Sequence, residues 1–222
     1  MDGEREALRR LLETLGEGER TDALLAELEE AGSLGALLES PAELLAQRCS
    51  LSGEAADLLR AVPWLARRCE LERLGEAPRV ATLSGAETFL RALYLGARRE
   101  EMFLLGLDGE MRVMDCALLE SGSLRETPIY LRRIMQRLIR VRPAALILCH
   151  NHPGRGAGFS YGDVEATRSL LTALRAVRVP LVDHVLLSGG VAVSMRARDF
   201  IPEADWAAAG EAVPTARWLT GG

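Results

Sequence analysis

The spacing of apolar residues divides the chain into two parts. Over residues 1–75 leucines recur three and four positions apart, as at Leu8, Leu11 and Leu12, which is the period of one face of a helix. The stretch "SPAELLAQ" has a serine, then a proline, and a glutamate three positions after the serine. This order predicts Ser40 as the N-cap of a further helix. The first part of the chain is therefore predicted to be a small bundle of short helices.

The segment "LGEAPR" breaks the helical pattern with a glycine and a proline, and it predicts a linker. Beyond it, strand-like and helix-like segments alternate. Asp108-Gly109 between two apolar runs predicts a hairpin, and the unbroken apolar run "AALILC" predicts a buried strand. A helix over 160–177 and two closing strands complete an α/β layered domain. The predicted organisation is a helical domain over 1–75, an α/β domain over 80–202 and a loose C-terminal tail over 203–222.

Charge and composition narrow the classes of partner and location. Residues 1–76 hold nine arginines and 17 acidic residues, a formal charge of −8, which is unfavourable for binding DNA phosphates. No apolar run approaches the roughly 18 residues that span a bilayer, and the charged N-terminus lacks an apolar signal core. A cytoplasmic protein without membrane contact is expected. Its four cysteines lack metal-site spacing and are predicted to be reduced packing residues.

Two of the three histidines end the predicted buried strand, with one residue between them. Residues two apart in an extended chain point the same way, so the rings of His150 and His152 aim at one point. Asp163 reaches that point if the glycine-rich loop folds back. Two imidazoles and a carboxylate leave a fourth position for water, which is the composition of a catalytic zinc site. In the alternative interpretation Ser160 and Asp163 form a helix-capping pair; both roles are compatible, because a carboxylate has two oxygens.

The stretch "HNHPGRGAGFSYGD" resembles the JAMM metalloprotease signature, His-x-His-x7-Ser-x2-Asp, at every fixed position. Together with "AALILCHNHP" and "VPLVDHVLLSGGVAVSM", it is similar to the RadC family of bacterial proteins with a JAMM (MPN, JAB) domain. The likeness covers about residues 80–202. It implies an α/β, MPN-like three-layer domain, a mixed sheet with flanking helices, preceded by a small all-α bundle.

The resemblance also implies roles for individual residues. The zinc ligands carry over to His150, His152 and Asp163. Ser160 matches the serine that stabilises the tetrahedral intermediate. The glutamate that orients and deprotonates the water is expected at Glu100, with Glu101 as the near rival. His184, in the Asp-His pair of "VDHVLL", is expected to have a structural role or to act behind the ligands.

The sequence also departs from the RadC pattern. The histidines are followed by "HPGRG" where the family usually has His-Pro-Ser-Gly, and "LRR" stands where a Pro-Arg-Glu triplet is usual. The N-terminal domain resembles a degenerate helix-hairpin-helix, with Ser50 and Ser52 where glycines allow a close turn to approach a DNA phosphate.

The sequence therefore predicts a zinc-dependent metallohydrolase of JAMM type that hydrolyses peptide or isopeptide amide bonds. The alternatives are a non-catalytic MPN-like scaffold, which the departures favour, and a DNA-repair-associated accessory protein. The expected partners are a peptide or protein substrate, a protein bound by the N-terminal helices and a second copy in a homodimer. DNA is not expected to bind.

Overall fold

The computed structural model describes residues 2–38, 40–121, 127–153 and 158–201, together with Trp218. The chain divides into two compact units, 1–70 and 71–222. Within the described residues, no helix is both long enough and apolar enough to cross a membrane.

The predicted helical N-terminal region is confirmed. Leucines at helical spacing, among them Leu12, Leu24 and Leu45, are fully buried in its core, because the apolar stripe of each short helix has to face the others to leave water. The helices described here are α1 Asp2–Thr14, α2 Thr21–Ala31, α3 Leu34–Leu38, α4 Ala42–Cys49 and α5 Gly53–Arg73.

The N-cap predicted for α4 is wrong. Pro41, not Ser40, is the N-cap of α4, and no side chain caps the helix. The hydroxyl of Ser40 instead donates to the carbonyl of Ala36 at 3.3 Å, because the last carbonyls of α3 also lack partners within their own helix. Ser50 ends α4 at a φ of 54°, so a serine takes the left-handed conformation that glycine more often has at a helix C-terminus.

The second unit contains a mixed five-stranded sheet in the order β2-β1-β3-β4-β5. Strands β3 and β4 are parallel, joined through α8, and the other neighbours are antiparallel. The predicted Asp108-Gly109 hairpin joins β1 to β2, and the side chain of Asp108 accepts from the amides of Glu110 and Arg112, both at 2.8 Å. The elements are α6 Leu83–Leu93, β1 Glu101–Leu107, β2 Val113–Ser121, α7 Thr127–Val141, β3 Ala145–His152, α8 Tyr161–Val177, β4 Leu181–Ser188 and β5 Val191–Ser194.

The sheet lies between two helical layers, as the α/β fold class predicts. Alternate residues of β3 face opposite ways: Ile147 and Cys149 pack with α6, whereas Leu146 and Leu148 pack with α7 and α8. This alternation places His150 and His152 on the α7–α8 side of the sheet.

One residue of the predicted loose tail is firmly packed. Trp218 is 1% exposed, and its indole Nε1 donates to Oδ2 of Asp183 at 2.7 Å. The backbone amide of Leu83 donates to the carbonyl of Trp218 at 2.9 Å. A buried indole needs such an acceptor, so the expectation of a loose extension is wrong at this position. The other residues of 202–222 lie outside the described residues.

The cysteine prediction holds in part. Cys49 and Cys149 are buried free thiols, whereas Cys69 and Cys116 are exposed. Cys149 lies on the face of β3 opposite the histidines, with its sulfur 3.6 Å from the carbonyl oxygen of Phe103. The packing role therefore applies to the two buried cysteines.

Candidate metal centre

The two histidines end β3 between two neighbouring strands. His150 lies opposite Met102 of β1 and beside Leu186 of the parallel strand β4. His150 is 3% exposed and His152 is half-buried. A ring at the end of a central strand is therefore held by packing on both sides, while its neighbour two positions on reaches the surface.

Asp163 is brought to the same point by the crossover from β3 into α8. Ser160 is the N-cap of α8 and forms a capping box with Asp163. Oδ2 of Asp163 accepts from the backbone amide of Ser160 at 2.7 Å and from its hydroxyl at 2.8 Å. Oδ1 faces the histidines and lies 3.5 Å from Nε2 of His150. The capping prediction is confirmed, and it leaves one carboxylate oxygen directed at the histidines.

The three side chains converge as a metal site requires. Nε2 of His150 lies 3.3 Å from Nε2 of His152, and one ligand atom from each of the three residues lies within 4.8 Å of the others. Ligands about 2.0–2.1 Å from a tetrahedral zinc ion are separated by about 3.3–3.4 Å. Two measured separations are close to this value, and two imidazoles with one carboxylate are donors that zinc prefers, so the residues fit the ion.

The residue before β1 is directed at this centre. Oε1 of Glu100 lies 3.7 Å from Nε2 of His152, and the Glu100 side chain is about half exposed. Glu100 shares its strand face with Met102, which packs on the α7–α8 side, whereas Glu101 alternates to the face of Phe103. The structure thus brings Glu100, not Glu101, to the three converging side chains.

Sequence reasoning missed the residue between the two histidines. Asn151 is 4% exposed; its Oδ1 accepts from the backbone amide of Glu101 at 2.7 Å, and its Nδ2 donates to the carbonyl of Arg99 at 3.0 Å. These two bonds hold the backbone on either side of Glu100. The side chain of Asn151 points to the face of the strand opposite the two histidines. Its role in holding the backbone around Glu100 can be recognised only when the neighbouring strand is known.

His184 lies directly behind His150. Its Nε2 is 2.8 Å from Nδ1 of His150, and its Nδ1 is 2.7 Å from the hydroxyl of Thr167. Burial, and next the charge of His150, hold the pKa of His184 well below that of a free imidazole. His184 is therefore a neutral ring behind the ligands.

The carboxylate of Asp163 is stabilised in its ionised form. Burial alone raises the pKa of a carboxyl group, but the hydrogen bond and charge of His150, together with the donors of Ser160, outweigh it. They hold the pKa of Asp163 below its ordinary value. An ionised carboxylate is the form that a metal ligand requires.

Ser160, Phe159 and the loop after the histidines also lie near the centre. The Ser160 hydroxyl donates to Asp163. The ring of Phe159 lies 5.9 Å from that of His150 and 5.5 Å from that of His184, measured between centroids, so it packs against both. The altered loop after the histidines falls largely on 154–157, outside the described residues.

A mixed sheet between helical layers, with His-x-His at a strand end and an aspartate on the next helix, defines an α/β domain of MPN type. Residues 81–200 match the sequence profile of the RadC-like JAB domain. A UPF0758 protein of Bordetella parapertussis is 39% identical over 168 residues, which is 75% of this chain and 74% of that protein. A UPF0758 protein of Variovorax paradoxus is 35% identical over 194 residues, 86% of this chain and 85% of that protein. The chain belongs to the RadC family of JAB-domain proteins.

Proposed function

We propose that this protein is a zinc-dependent metallohydrolase of JAMM type that hydrolyses peptide or isopeptide amide bonds. The observation that carries the proposal is the convergence of His150, His152 and Asp163 within 4.8 Å, with Glu100 beside them. His150, His152 and Asp163 would hold the ion. A zinc ion at such a site lowers the pKa of a coordinated water to about 7 and polarises a carbonyl oxygen.

Glu100 has the position of a general base. Its half-exposed carboxylate lies beside His152, and the backbone on either side of it is held through Asn151. It accepts a proton from the attacking water and delivers that proton to the leaving amine, so that the amide C–N bond breaks with the nitrogen neutral.

Ser160 supports this reaction in two ways. In the structure its hydroxyl donates to Oδ2 of Asp163 and so orients the carboxylate. The backbone amide of Ser160 donates to the same oxygen at 2.7 Å, so the carboxylate keeps one partner when the hydroxyl turns. A turned hydroxyl is then a donor for the oxygen that becomes negative as the carbonyl is attacked.

The test combines zinc content with peptidase activity. The purified protein is expected to bind about one zinc per chain, and a His150→Ala/His152→Ala double variant is expected to bind none. Glu100→Gln is expected to lower activity on a peptide panel by about 100- to 10,000-fold with unchanged zinc content. Glu101→Gln is the matched control, because it makes the same change of charge on the other face of the strand.

Two outcomes contradict the proposal. Equal zinc content in the wild type and the double histidine variant would show that His150 and His152 do not hold the ion. Wild type and Glu100→Gln that are equally inert on peptide and isopeptide substrates, with zinc bound, would favour a non-catalytic MPN-like scaffold.

A further inference from the structure

Two buried polar side chains, those of His184 and Thr167, lie behind the candidate metal centre. His184 is 0% exposed and Thr167 is 1% exposed. They come from different elements, β4 and α8: one ring nitrogen of His184 faces His150 and the other faces Thr167. Buried polar atoms in such a position form hydrogen bonds in which each atom has a fixed role as donor or acceptor. We call the sequence of these roles along the chain of bonds its hydrogen-bond order.

The Thr167 hydroxyl sets the direction of this order. Its oxygen lies 2.7 Å from the carbonyl oxygen of Asp163, and a carbonyl oxygen cannot donate, so the single hydroxyl hydrogen points at Asp163. The same hydroxyl lies 2.7 Å from Nδ1 of His184. It can only accept there, which requires a proton on Nδ1 of His184.

The order continues through the two rings. The His184 ring is fully buried, and burial disfavours a charged imidazolium. The neutral ring with its proton on Nδ1 has a lone pair on Nε2. That nitrogen lies 2.8 Å from Nδ1 of His150, so Nδ1 of His150 carries a proton and donates. Nε2 of His150, the atom that lies 3.3 Å from His152 and 3.5 Å from Asp163, is then the ring nitrogen that is left to bind a metal.

We propose that Thr167 and His184 are positioning residues that fix the Nδ1-protonated tautomer of His150 and direct its Nε2 lone pair into the metal centre. The inference rests on the proposed metal site. Thr167 takes its own direction from the backbone of Asp163, so one hydrogen-bonded chain connects two of the three ligands. Partners of this kind, behind a ligating histidine, orient the ring and raise its affinity for metal.

The order can be tested without any metal. In the metal-free protein labelled with nitrogen-15 at histidine, long-range nitrogen–proton correlation spectra distinguish a protonated from an unprotonated ring nitrogen. His150 is expected to show a protonated Nδ1, and His184 is expected to show a protonated Nδ1 and an unprotonated Nε2. Thr167→Val keeps the side-chain shape but removes the hydroxyl, and it is expected to give a mixture of tautomers at His184 and His150. Thr167→Ser retains the hydroxyl and is expected to restore the wild-type spectrum.

Zinc affinity gives the second readout, measured by competition with a chromophoric chelator. His184→Leu and Thr167→Val are expected to weaken zinc binding by about 10- to 100-fold. His184→Gln provides an acceptor near the position of Nε2 and is expected to recover most of the loss. His184→Asn, whose shorter amide reaches only toward Thr167, is expected not to recover it.

The two readouts separate this inference from the proposed function. If Nδ1 of His150 in the wild type is unprotonated, or if Thr167→Val leaves both the spectrum and the zinc affinity unchanged, the inference is wrong even when the protein binds zinc and hydrolyses amides. If the expected tautomer is found but the wild type binds no zinc, the hydrogen-bond order stands and the metallohydrolase proposal fails.

Discussion

Two helices in different units begin with the same pair of groups, a serine and a carboxylate. At α8, the backbone amide and the hydroxyl of Ser160 both donate to one oxygen of Asp163. At α5, the amide of Ser52 lies 3.2 and 3.1 Å from the two oxygens of Glu17, and its hydroxyl also donates to Glu17. Both serine hydroxyls accept in return from an amide in the first turn, those of Asp163 and Ala55.

The two carboxylates differ in the number of oxygens that the helix cap uses. Asp163 belongs to the helix that it helps to cap, and its short side chain offers only Oδ2 to the cap, so Oδ1 faces His150. Glu17 comes from a segment 35 residues before Ser52, and both of its oxygens are used at the helix end. The same cap is thus purely structural in one unit and contributes a candidate ligand in the other.

The largest expected effect separates the two carboxylates by metal binding. Asp163→Asn removes the anionic ligand, and it is expected to lower zinc affinity by more than about 100-fold, beyond the loss caused by changing a residue behind a ligand. Glu17→Gln is the matched control, because it also replaces a capping carboxylate by an amide, and it is expected to leave zinc affinity unchanged. Chelator competition measures both. Equal zinc affinity in Asp163→Asn and wild type would make the α8 carboxylate structural as well.

An intermediate effect is expected from the two serines. Ser160→Ala and Ser52→Ala each remove a side-chain cap, so each is expected to lower the free energy of unfolding of the metal-free protein by about 1 kcal/mol in urea denaturation. Only Ser160→Ala is expected to weaken zinc binding as well, by about 10-fold or more, because Asp163 loses a donor that orients it. Weakened zinc binding in Ser52→Ala, or unchanged binding in Ser160→Ala, would contradict the distinction.

Features encoded in one continuous segment could be predicted from the sequence. The buried strand, the pair His150 and His152 at its end, and Ser160 with Asp163 at the next helix all lie within 19 residues (145–163). Their geometry follows from the period of a strand and the capping pattern of a helix. The spacing alone therefore indicated which side chains converge.

Features that depend on pairing between distant segments could not be predicted in this way. The register of β1 decides whether Glu100 or Glu101 faces the metal centre, and this register is fixed by Met102 lying opposite His150. The hydrogen bonds of Asn151 and the contact of Thr167 with His184 likewise join separate elements. Local spacing carries no information about such contacts, because the sheet and its crossover decide them.

Competition for a polar group explains why another prediction failed. Ser40 has the sequence context of an N-cap, but its hydroxyl bonds to the end of the preceding helix through Ala36. A capping pattern in the sequence shows which groups can form a hydrogen bond, but it does not show which partner the serine hydroxyl binds.

The smallest expected effect concerns DNA. The carboxylate of Glu17 occupies the amide at the start of α5, where an open helix end would accept an anion, and residues 1–76 carry a formal charge of −8. Glu17→Ala frees the amide but changes that charge by only one, so a change in DNA affinity of less than about threefold is expected relative to wild type. Fluorescence anisotropy with a labelled duplex, across a salt series from about 50 to 200 mM, measures this change.

The control is Glu19→Ala, which makes the same charge change at an exposed residue paired with Arg20. Tight, saturable DNA binding by Glu17→Ala but not by Glu19→Ala would show that the carboxylate of Glu17 blocks an anion site at the start of α5. The capped end of α5 would then have a role in DNA binding, whereas that of α8 contributes a metal ligand.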